Sequence, residues 1–297
     1  GTLKTPDQMR QQSLLSSWGE TSPWALIEGA TYPYLSWQTV VSGSVFEADQ
    51  QTRVLQRVEV SVLVNGVSQG TVSTGLHDLA DPSTYYLVAG HVGKGDAILA
   101  YVNESALRGN ALSIASGSRT VDLDIYRSAV TVRQDGEIPV SEADFQRAQG
   151  SLRDKDLLFA ADGSGALMIA DTFVVSAGAA YQARHELSAR GDIMVSGSVS
   201  DQEGTIALRA RGDIEILGTG KLATADGDIR LVASGDINST GVIEAPAGAV
   251  ELRAKGTVKS LGVLRAETLQ ERGMSFYTGG VYAVTGLSQA ENDDHAR

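Results

Sequence analysis

Short segments in which apolar residues take every second position fill the second half of the chain. Segments 205–210, 228–233 and 249–254 show this alternation, with isoleucine, leucine or valine separated by polar or small residues. A period of two predicts a strand with one buried face, whereas a helix would place apolar residues three and four positions apart. The second half of the chain is therefore predicted to consist of short β-strands.

Glycine separates these segments, and it recurs with a period. Gly-Asp-Ile occurs at 191–193, 212–214, 227–229 and 235–237, and a degenerate Gly-Thr-Val follows at 256–258. Two interleaved glycine series have the same spacings of 23 and 21 residues: Gly204, Gly227 and Gly248, and Gly212, Gly235 and Gly256. Two series that share a period predict one structural unit copied along the chain.

Each unit contains three short alternating segments and three glycine corners. Glycine tolerates the positive-φ backbone that a sharp change of strand direction requires. Such a unit cannot close a core alone, but in a coil each strand pairs in parallel with its copy ~4.8 Å further along. We therefore predict a β-solenoid over residues 157–270, with roughly five coils and stacked aliphatic side chains inside.

The repeat resembles a known family. Gly-Asp-Ile-x-x-x-Gly-x-Ile, followed by Gly-x-Ile-x-Leu-x-Ala, covers about 190–266 and is similar to the haemagglutination repeats of filamentous-haemagglutinin-like adhesins. Those adhesins are secreted bacterial proteins of the two-partner secretion type. The resemblance implies a right-handed parallel β-helix and a location outside the bacterial cell or on its surface. It also implies an outer-membrane secretion partner, and a chain that is the C-terminal fragment of an exoprotein.

The N-terminal segment, residues 1–38, is rich in aromatic residues. Thr5 followed by Pro6 predicts a short helix over about 6–13, because proline is favoured at the first helical position. The segment is similar to one that closes the stalk in the same exoproteins. Its aromatic side chains are predicted to cap an apolar end or, alternatively, to form a sugar-binding platform. They are also candidate inter-subunit contacts: Trp18, Trp24, Tyr32, Tyr34 and Trp37.

Residues 39–130 differ from the aromatic-rich segment before them, because their sequence predicts about seven strands separated by turns. Valine alternates through 58–64 and Asn65-Gly66 follows, which is a strong hairpin signal. Seven short strands predict an Ig-like β-sandwich. The segments 41–46 and 60–66 are also similar to carboxypeptidase-regulatory-like modules, which are common spacers in surface proteins.

The remaining regions complete an all-β organisation. Residues 131–156 are predicted to be a linker with a short helix, for which Ser141 is the N-cap and Gly150 lies beyond the C-terminus. The β-helix then occupies 157–270, and residues 271–297 form a C-terminal cap and tail. The predicted fold is therefore an Ig-like β-sandwich followed by a right-handed parallel β-helix, with short helices near the N-terminus and in the link.

Composition narrows the possible partners and chemistry. The net charge is −12, which disfavours nucleic acid, and the chain contains no cysteine, which rules out thiolate metal sites. The four histidines show no metal-ligand spacing: His77, His91, His185 and His295. Three acidic pairs lack a calcium-loop pattern and are interpreted as solvated carboxylates: Asp122/Asp124, Asp154/Asp156 and Asp226/Asp228. We predict no catalytic residue, cofactor or metal site.

Two Arg-Gly-Asp triplets are candidate receptor motifs: Arg190, Gly191 and Asp192, and Arg211, Gly212 and Asp213. The alternative interpretation is that Gly-Asp is the corner of the repeat and arginine precedes it by chance. Asp226 and Ser234 precede the other two copies, which favours that alternative. A functional triplet is also expected on a projecting loop, whereas these lie at strand starts.

The function predicted from these patterns is a non-enzymatic, secreted bacterial surface adhesin or structural protein. Its predicted partners are a host-cell or neighbouring-cell surface, or copies of itself. One alternative is the protomer of an extracellular fibre, assembled by head-to-tail β-helix stacking or strand exchange. A second alternative is a polysaccharide-acting β-helix enzyme, although the outward charges of the repeat mix signs and are interpreted as cross-strand ion pairs.

Overall fold

The structure is a computed structural model. It describes residues 4–16, 18, 23–29, 31–76, 81–104, 107–117, 120–133, 138–151, 156–159, 166–201, 204–272, 276–278 and 281–286. The protein is all-β, with 52% strand, 7% helix and a parallel β-solenoid of about seven turns. The central fold prediction is therefore confirmed. Among the described residues, no helix has the length and apolar character needed to cross a membrane.

The part of the N-terminal segment that the structure describes contains four short elements. They are α1 (Pro6–Met9), α2 (Gln12–Ser16), β1 (Trp24–Ala25) and β2 (Tyr34–Leu35). The helix predicted over 6–13 is thus divided in two. Thr5 caps α1 as expected, because its Oγ1 accepts the Gln8 amide at 3.3 Å while Gln8 Oε1 accepts the Thr5 amide at 3.1 Å.

The N-terminal β-unit follows, and we use this name for residues 39–126. Its described residues form eight strands: β3 (Thr39–Phe46), β4 (Glu59–Val64), β5 (Val67–Ser73), β6 (Thr84–Ala89), β7 (Ala97–Asn103), β8 (Arg108–Ile114), β9 (Thr120–Asp122) and β10 (Ile125–Tyr126). Asn65 and Gly66, both with positive φ, form the predicted hairpin turn between β4 and β5.

Two sheets pack around one core in this unit. One sheet joins β6, β3, β9 and β10, and the other has the order β5-β4-β7-β8. Buried aliphatic side chains from both sheets, among them Val41, Val60 and Ile98, form that core. In an immunoglobulin domain the first, second, fourth and fifth strands share a sheet. Because the first strand here pairs with the fourth and the last, the Ig-like topology is not confirmed.

The solenoid begins directly after this unit. Its strands are β11 (Ala129–Val132), β12 (Val140–Ser141), β13 (Leu157–Phe159), β14 (Leu167–Ile169), β15 (Thr172–Val175), β16 (Ala180–Ala183), β17 (Leu187–Ala189), β18 (Ile193–Val195), β19 (Ser198–Asp201), β20 (Thr205–Ala210), β21 (Ile214–Ile216), β22 (Lys221–Ala223), β23 (Asp228–Ala233), β24 (Ile237–Ser239), β25 (Val242–Ala254), β26 (Val258–Ser260), β27 (Val263–Arg272), β28 (Phe276–Thr278) and β29 (Val281–Gly286).

Three faces run along the stack. Face A contains β14, β17, β20 and β23, face B contains β11, β15, β18, β21, β24, β26 and β28, and face C contains β12, β16, β19 and β22. The long strands β25 and β27 continue from face C into face A. On every face, these strands pair in parallel with their copies one turn away, as the repeat predicts. Strand β13 is the exception among the described residues, because it pairs antiparallel with β14 at the start of face A.

Seven described strands stack on face B: five lie within residues 157–270, where roughly five coils were predicted, and one further strand lies on each side of that range. The first turn uses β11, which crosses the predicted boundary between sandwich and linker, and β12, from the predicted linker. The seventh uses β28 and β29, from the predicted cap. Both turns lack the Gly-Asp-Ile sequence, and α3 (Glu142–Gln149) interrupts the first. Pairing with a regular neighbouring turn compensates for the irregular sequence. The predicted tail, 287–297, lies outside the described residues.

The N-terminal β-unit and the solenoid share one sheet. Strand β11 pairs with β8 on one side and with β15 on the other, which joins eleven strands from β5 to β28. A single apolar core likewise runs from Leu63 and Leu99 to Leu264. Helix α3 closes this core over the first turns, with the fully buried Phe145 ring 6.4 Å from Phe173. The two regions are therefore continuous.

Helix α3 forms as the sequence predicts. Ser141 is its N-cap, and Asp144 completes a capping box by accepting the Ser141 amide at 2.9 Å. Gly150, with φ of 55°, ends the helix. A Cβ on Gly150 would overlap the backbone of Gly66 in the β4–β5 turn, so this end of the helix lies directly against the N-terminal β-unit.

Candidate functional site

The two Arg-Gly-Asp triplets lie at the corner between face A and face B. Arg190 and Arg211 follow β17 and β20, and the Gly-Asp pairs lead into β18 and β21. Both arginines are exposed, whereas both aspartates are partly buried. The structure therefore stacks the two triplets in successive turns of the same corner.

The aspartates of this corner form a ladder along the stack. Asp192 Oδ1 accepts the Asp213 amide at 2.8 Å, Asp213 Oδ1 accepts the Asp236 amide at 2.7 Å, and Asp236 Oδ1 accepts the Thr257 amide at 2.6 Å. Each carboxylate thus caps a backbone N–H of the next turn. Hydrogen bonds of this kind, with one charged partner, are stronger than neutral ones.

The glycine of each pair makes room for this ladder. A Cβ on Gly212 would overlap the Asp192 carboxylate, and a Cβ on Gly235 would overlap that of Asp213. Ser234 precedes the pair Gly235-Asp236, which makes the same contacts as the pairs that follow arginine. The ladder therefore accounts for glycine and aspartate in the triplets without a role for arginine.

Several outward charges on the solenoid pair between turns. Arg209 contacts Glu186 at 2.8 Å, Arg230 contacts Glu251 at 2.7 Å, and Glu244 lies 2.9 Å from both Lys221 and Arg265. Hydrogen bonds from Arg209 lower the pKa of Glu186, and the hydrogen bond from Lys221 does the same for Glu244. These contacts support the predicted cross-strand ion pairs.

A groove of about 320 Å³ runs along face B over the middle turns. Glu215, Asn238 and Lys259 occupy matching positions on three successive strands, and Leu217 and Leu261 flank them. Burial raises the pKa of Glu215, and Asp213 and Asp192 raise it further. This groove is where the solenoid brings a carboxylate and an amine to one concave surface, the arrangement that the glycan-acting alternative requires.

The predicted inter-subunit aromatics lie in the N-terminal segment as expected, but they divide into two groups. Tyr34 is buried, whereas four others keep 38–49% of their surface exposed: Trp18, Trp24, Tyr32 and Trp37. Trp18 and Trp24 contact each other edge to face, with ring centroids 5.8 Å apart. Tyrosine and tryptophan are enriched in contact surfaces, so the four exposed aromatics are candidates for such a surface.

One buried polar cluster was not predicted. Glu142, at the start of α3, accepts the Tyr181 hydroxyl at 2.9 Å and the Arg184 and His185 amides at 2.9 and 3.3 Å. Burial raises the pKa of Tyr181, and the Glu142 carboxylate raises it further, so the phenol stays protonated and donates. The sequence signals only a helix N-terminus here, because the partners lie about forty residues away.

The acidic pairs show no metal centre in the described part of the chain. No group of three or more histidine, aspartate or glutamate side chains there could hold a metal ion. Asp124 instead accepts the Ser44 amide at 2.9 Å and lies 3.4 Å from Arg133. Asp154 of the second pair and His77 and His295 lie outside the described residues.

Comparisons with protein-family models, with curated proteins and with solved structures gave no significant match. The geometry of the fold and of these surfaces therefore carries the functional argument.

Proposed function

We propose that the protein is a non-enzymatic, secreted protein of the bacterial cell surface, an adhesin or structural protein of the filamentous-haemagglutinin-like type. The observation that carries this proposal is the eleven-stranded sheet that joins the N-terminal β-unit to all seven turns of the solenoid. A continuous sheet with one core holds its two ends at a fixed separation. Such a rod suits the display of a binding surface away from a cell.

The solenoid contributes stiffness along its axis. Its seven stacked strands on face B span about 30 Å at the usual strand spacing. The aspartate ladder and the ion pairs connect each turn to the next on the outside, while stacked aliphatic side chains connect them inside. Bending the rod would break contacts on several faces at once, so this architecture favours a mechanical role.

The N-terminal segment supplies the proposed adhesive surface. Trp18, Trp24, Tyr32 and Trp37 are exposed there. Tryptophan and tyrosine are enriched among the residues that dominate binding energies. We therefore place the contact with a host-cell or neighbouring-cell surface at these aromatics, and not at the Arg-Gly-Asp triplets, whose aspartates already bind the next turn.

Binding of fluorescently labelled protein to host cells and to neighbouring bacteria, measured by flow cytometry, tests this assignment. We expect Trp18→Ala/Trp37→Ala to weaken binding about tenfold or more, because truncated hot-spot aromatics cost at least ~2 kcal/mol. Arg190→Ala/Arg211→Ala leaves the ladder intact and is expected to bind like the parent protein.

Two further variants distinguish loss of a receptor motif from structural damage to the corner between face A and face B. Asp192→Asn/Asp213→Asn keeps the acceptor oxygens but removes the charges, and Asp236→Ala damages the ladder where Ser234 replaces arginine. Loss of binding in both triplet variants, but not in Asp236→Ala, would assign adhesion to the triplets. Absence of binding to every cell surface tried would overturn the adhesin proposal.

The fibre alternative has a specific structural obstacle. Head-to-tail stacking requires an open first turn, and α3 covers that turn with Phe145 packed in the core. The alternative is thus left with strand exchange or contacts through the N-terminal aromatics. Electron microscopy at high protein concentration distinguishes the two functions: separate particles support the adhesin, and regular filaments support the fibre.

A further inference from the structure

Face B carries an outward row of three polar side chains over its middle turns. Glu215 of β21, Asn238 of β24 and Lys259 of β26 pair in register, one strand after the next. The residues immediately before and after each of them are buried, so these three side chains project from the outer surface of the sheet. Parallel pairing therefore places a carboxylate, an amide and an amine in one line along the rod.

This row lies in the groove of about 320 Å³ on face B. Leu217 and Leu261, both exposed, flank the row and give the groove an apolar side. The same row continues one turn earlier at Met194, whose sulfur accepts a hydrogen bond from Gln50 Nε2 at 3.1 Å. The N-terminal β-unit thus contacts face B at the turn before Glu215, which defines one end of the groove.

The polar groups of the groove differ from the ion pairs described above. Among the residues that the structure describes, no hydrogen bond or ion pair is found to the Glu215 carboxylate, the Asn238 amide group or the Lys259 amine. Glu215 and Asn238 are partly buried, so water solvates them incompletely. Burial raises the pKa of Glu215, and Asp213 and Asp192 raise it further. A cation bound beside this carboxylate would offset both effects.

We propose that the groove binds a short peptide with free termini, which lies along the rod in an extended conformation. Its ammonium group contacts Glu215, its carboxylate contacts Lys259, and a peptide group between them pairs with Asn238, whose side chain can both donate and accept. Glu215 and Lys259 lie two strand spacings apart, which is ~9.6 Å. An extended chain covers ~3.3–3.6 Å per residue, so a tripeptide matches this distance.

The same row disfavours other classes of ligand. A neutral saccharide would leave both the carboxylate and the amine without an opposite charge. Glu215 and the net charge of −12 oppose a polyanion, and Lys259 opposes a polyamine. Apolar side chains of a peptide can also pack against Leu217 and Leu261. This site is independent of the proposed adhesive role, because a peptide could bind here whether or not the protein attaches to cells.

NMR titration of the isotope-labelled full chain with the tripeptide Leu-Ala-Leu tests the site, because the shifted amides locate binding even when it is weak. The comparison ligands are the N-acetylated tripeptide, its C-terminal amide, the dipeptide Leu-Leu and maltotriose. The variants are Glu215→Gln and Lys259→Met. Asp226→Asn and Lys255→Met, at exposed solenoid positions outside the groove, are their matched controls.

We expect saturable shifts of amides in β21, β24 and β26 with Leu-Ala-Leu. Glu215→Gln is expected to weaken binding about tenfold, because a partly buried charged contact is lost. Lys259→Met is expected to weaken it about threefold, as is usual for an exposed ion pair. Both control variants should bind like the parent protein.

Blocking the peptide termini provides an independent check. N-acetylation should weaken binding to the parent protein but should not weaken it further in Glu215→Gln, since both changes remove the same contact. The proposal is overturned if Leu-Ala-Leu does not bind, or if the shifted amides lie outside face B. It is also overturned if the blocked peptides or the dipeptide bind as well as the free tripeptide, or if maltotriose binds more tightly.

Discussion

Replacing Gly227 with alanine is expected to destabilise the protein by ~3 kcal/mol or more, the range of severe overpacking in a closely packed interior. A Cβ on Gly227 would overlap the carbonyl group of Gly204 in the preceding turn. The obstructing atoms belong to the backbone, so no side-chain rotation relieves the overlap. The strands would have to move apart, and this would weaken the pairing between β20 and β23.

Urea unfolding followed by circular dichroism measures this effect, and Gly218→Ala is its matched control. Gly218 lies in a neighbouring corner of the same turn, and a Cβ there meets no atom within 4 Å. Its replacement should change stability by no more than ~0.5 kcal/mol, as is usual at unhindered surface positions. Equal stabilities for the two variants would show that the turns are not stacked as closely as described.

Replacing Glu142 with alanine is expected to destabilise the protein by about 3 kcal/mol, in the range for breaking a buried charged network. The change removes the acceptor of three groups at once: the Tyr181 hydroxyl and the amides of Arg184 and His185. Glu142 is 4% exposed and Tyr181 is fully buried, so water does not readily replace the carboxylate. The contact between α3 and the early turns would weaken.

Thermal unfolding of Glu142→Ala, Glu142→Gln, Tyr181→Phe and the double variant Glu142→Ala/Tyr181→Phe measures this network. Glutamine keeps the accepting Oε1 and should retain most of the stability. The double variant should be less destabilised than the sum of its two single changes, because residues in one hydrogen-bond network are coupled. Strict additivity would mean that the tyrosine and the glutamate do not act together.

The periodic part of the fold was predictable from the sequence because each repeat position has one structural role. The series Gly204, Gly227 and Gly248 marks turns whose backbones touch, and the series Gly212, Gly235 and Gly256 marks the corner that the aspartate side chains cross. Both requirements are local and recur in each turn. They therefore leave a period that can be recognised without a structure.

The first and last turns were not predicted, because a turn without the repeat motif leaves no period in the sequence. Residues 129–141 and 276–286 join the stack through pairing with regular neighbours, while their own sequences lack the Gly-Asp-Ile motif. The junction escaped because β8 pairs with β11 in a register that only the folded chain determines. The sequence predicted a sandwich that ends at residue 130 and a linker after it, whereas the sheet crosses this point without interruption.

The candidate sites that were predicted consist of residues adjacent in sequence, and those that were missed consist of residues far apart in sequence. The Arg-Gly-Asp triplets were found in the sequence because they are contiguous, and the structure then gave their glycines and aspartates a structural role. The buried cluster around Glu142 could not be found in this way. Its partners Tyr181, Arg184 and His185 lie 39 to 43 residues further along the chain and reach Glu142 only in the folded protein.

Hydrogen–deuterium exchange at the junction tests the central claim most directly, namely that the N-terminal β-unit and the solenoid are one continuous body. Strands β8 and β11 carry the connection, for example through the Arg133 amide, which donates to the Leu112 carbonyl at 2.8 Å. We predict that amides of β8 and β11 exchange as slowly as those of β21 in the middle of the solenoid. Fast exchange across 128–133, with slow exchange on both sides, would contradict the continuous sheet and leave two units joined by a flexible linker.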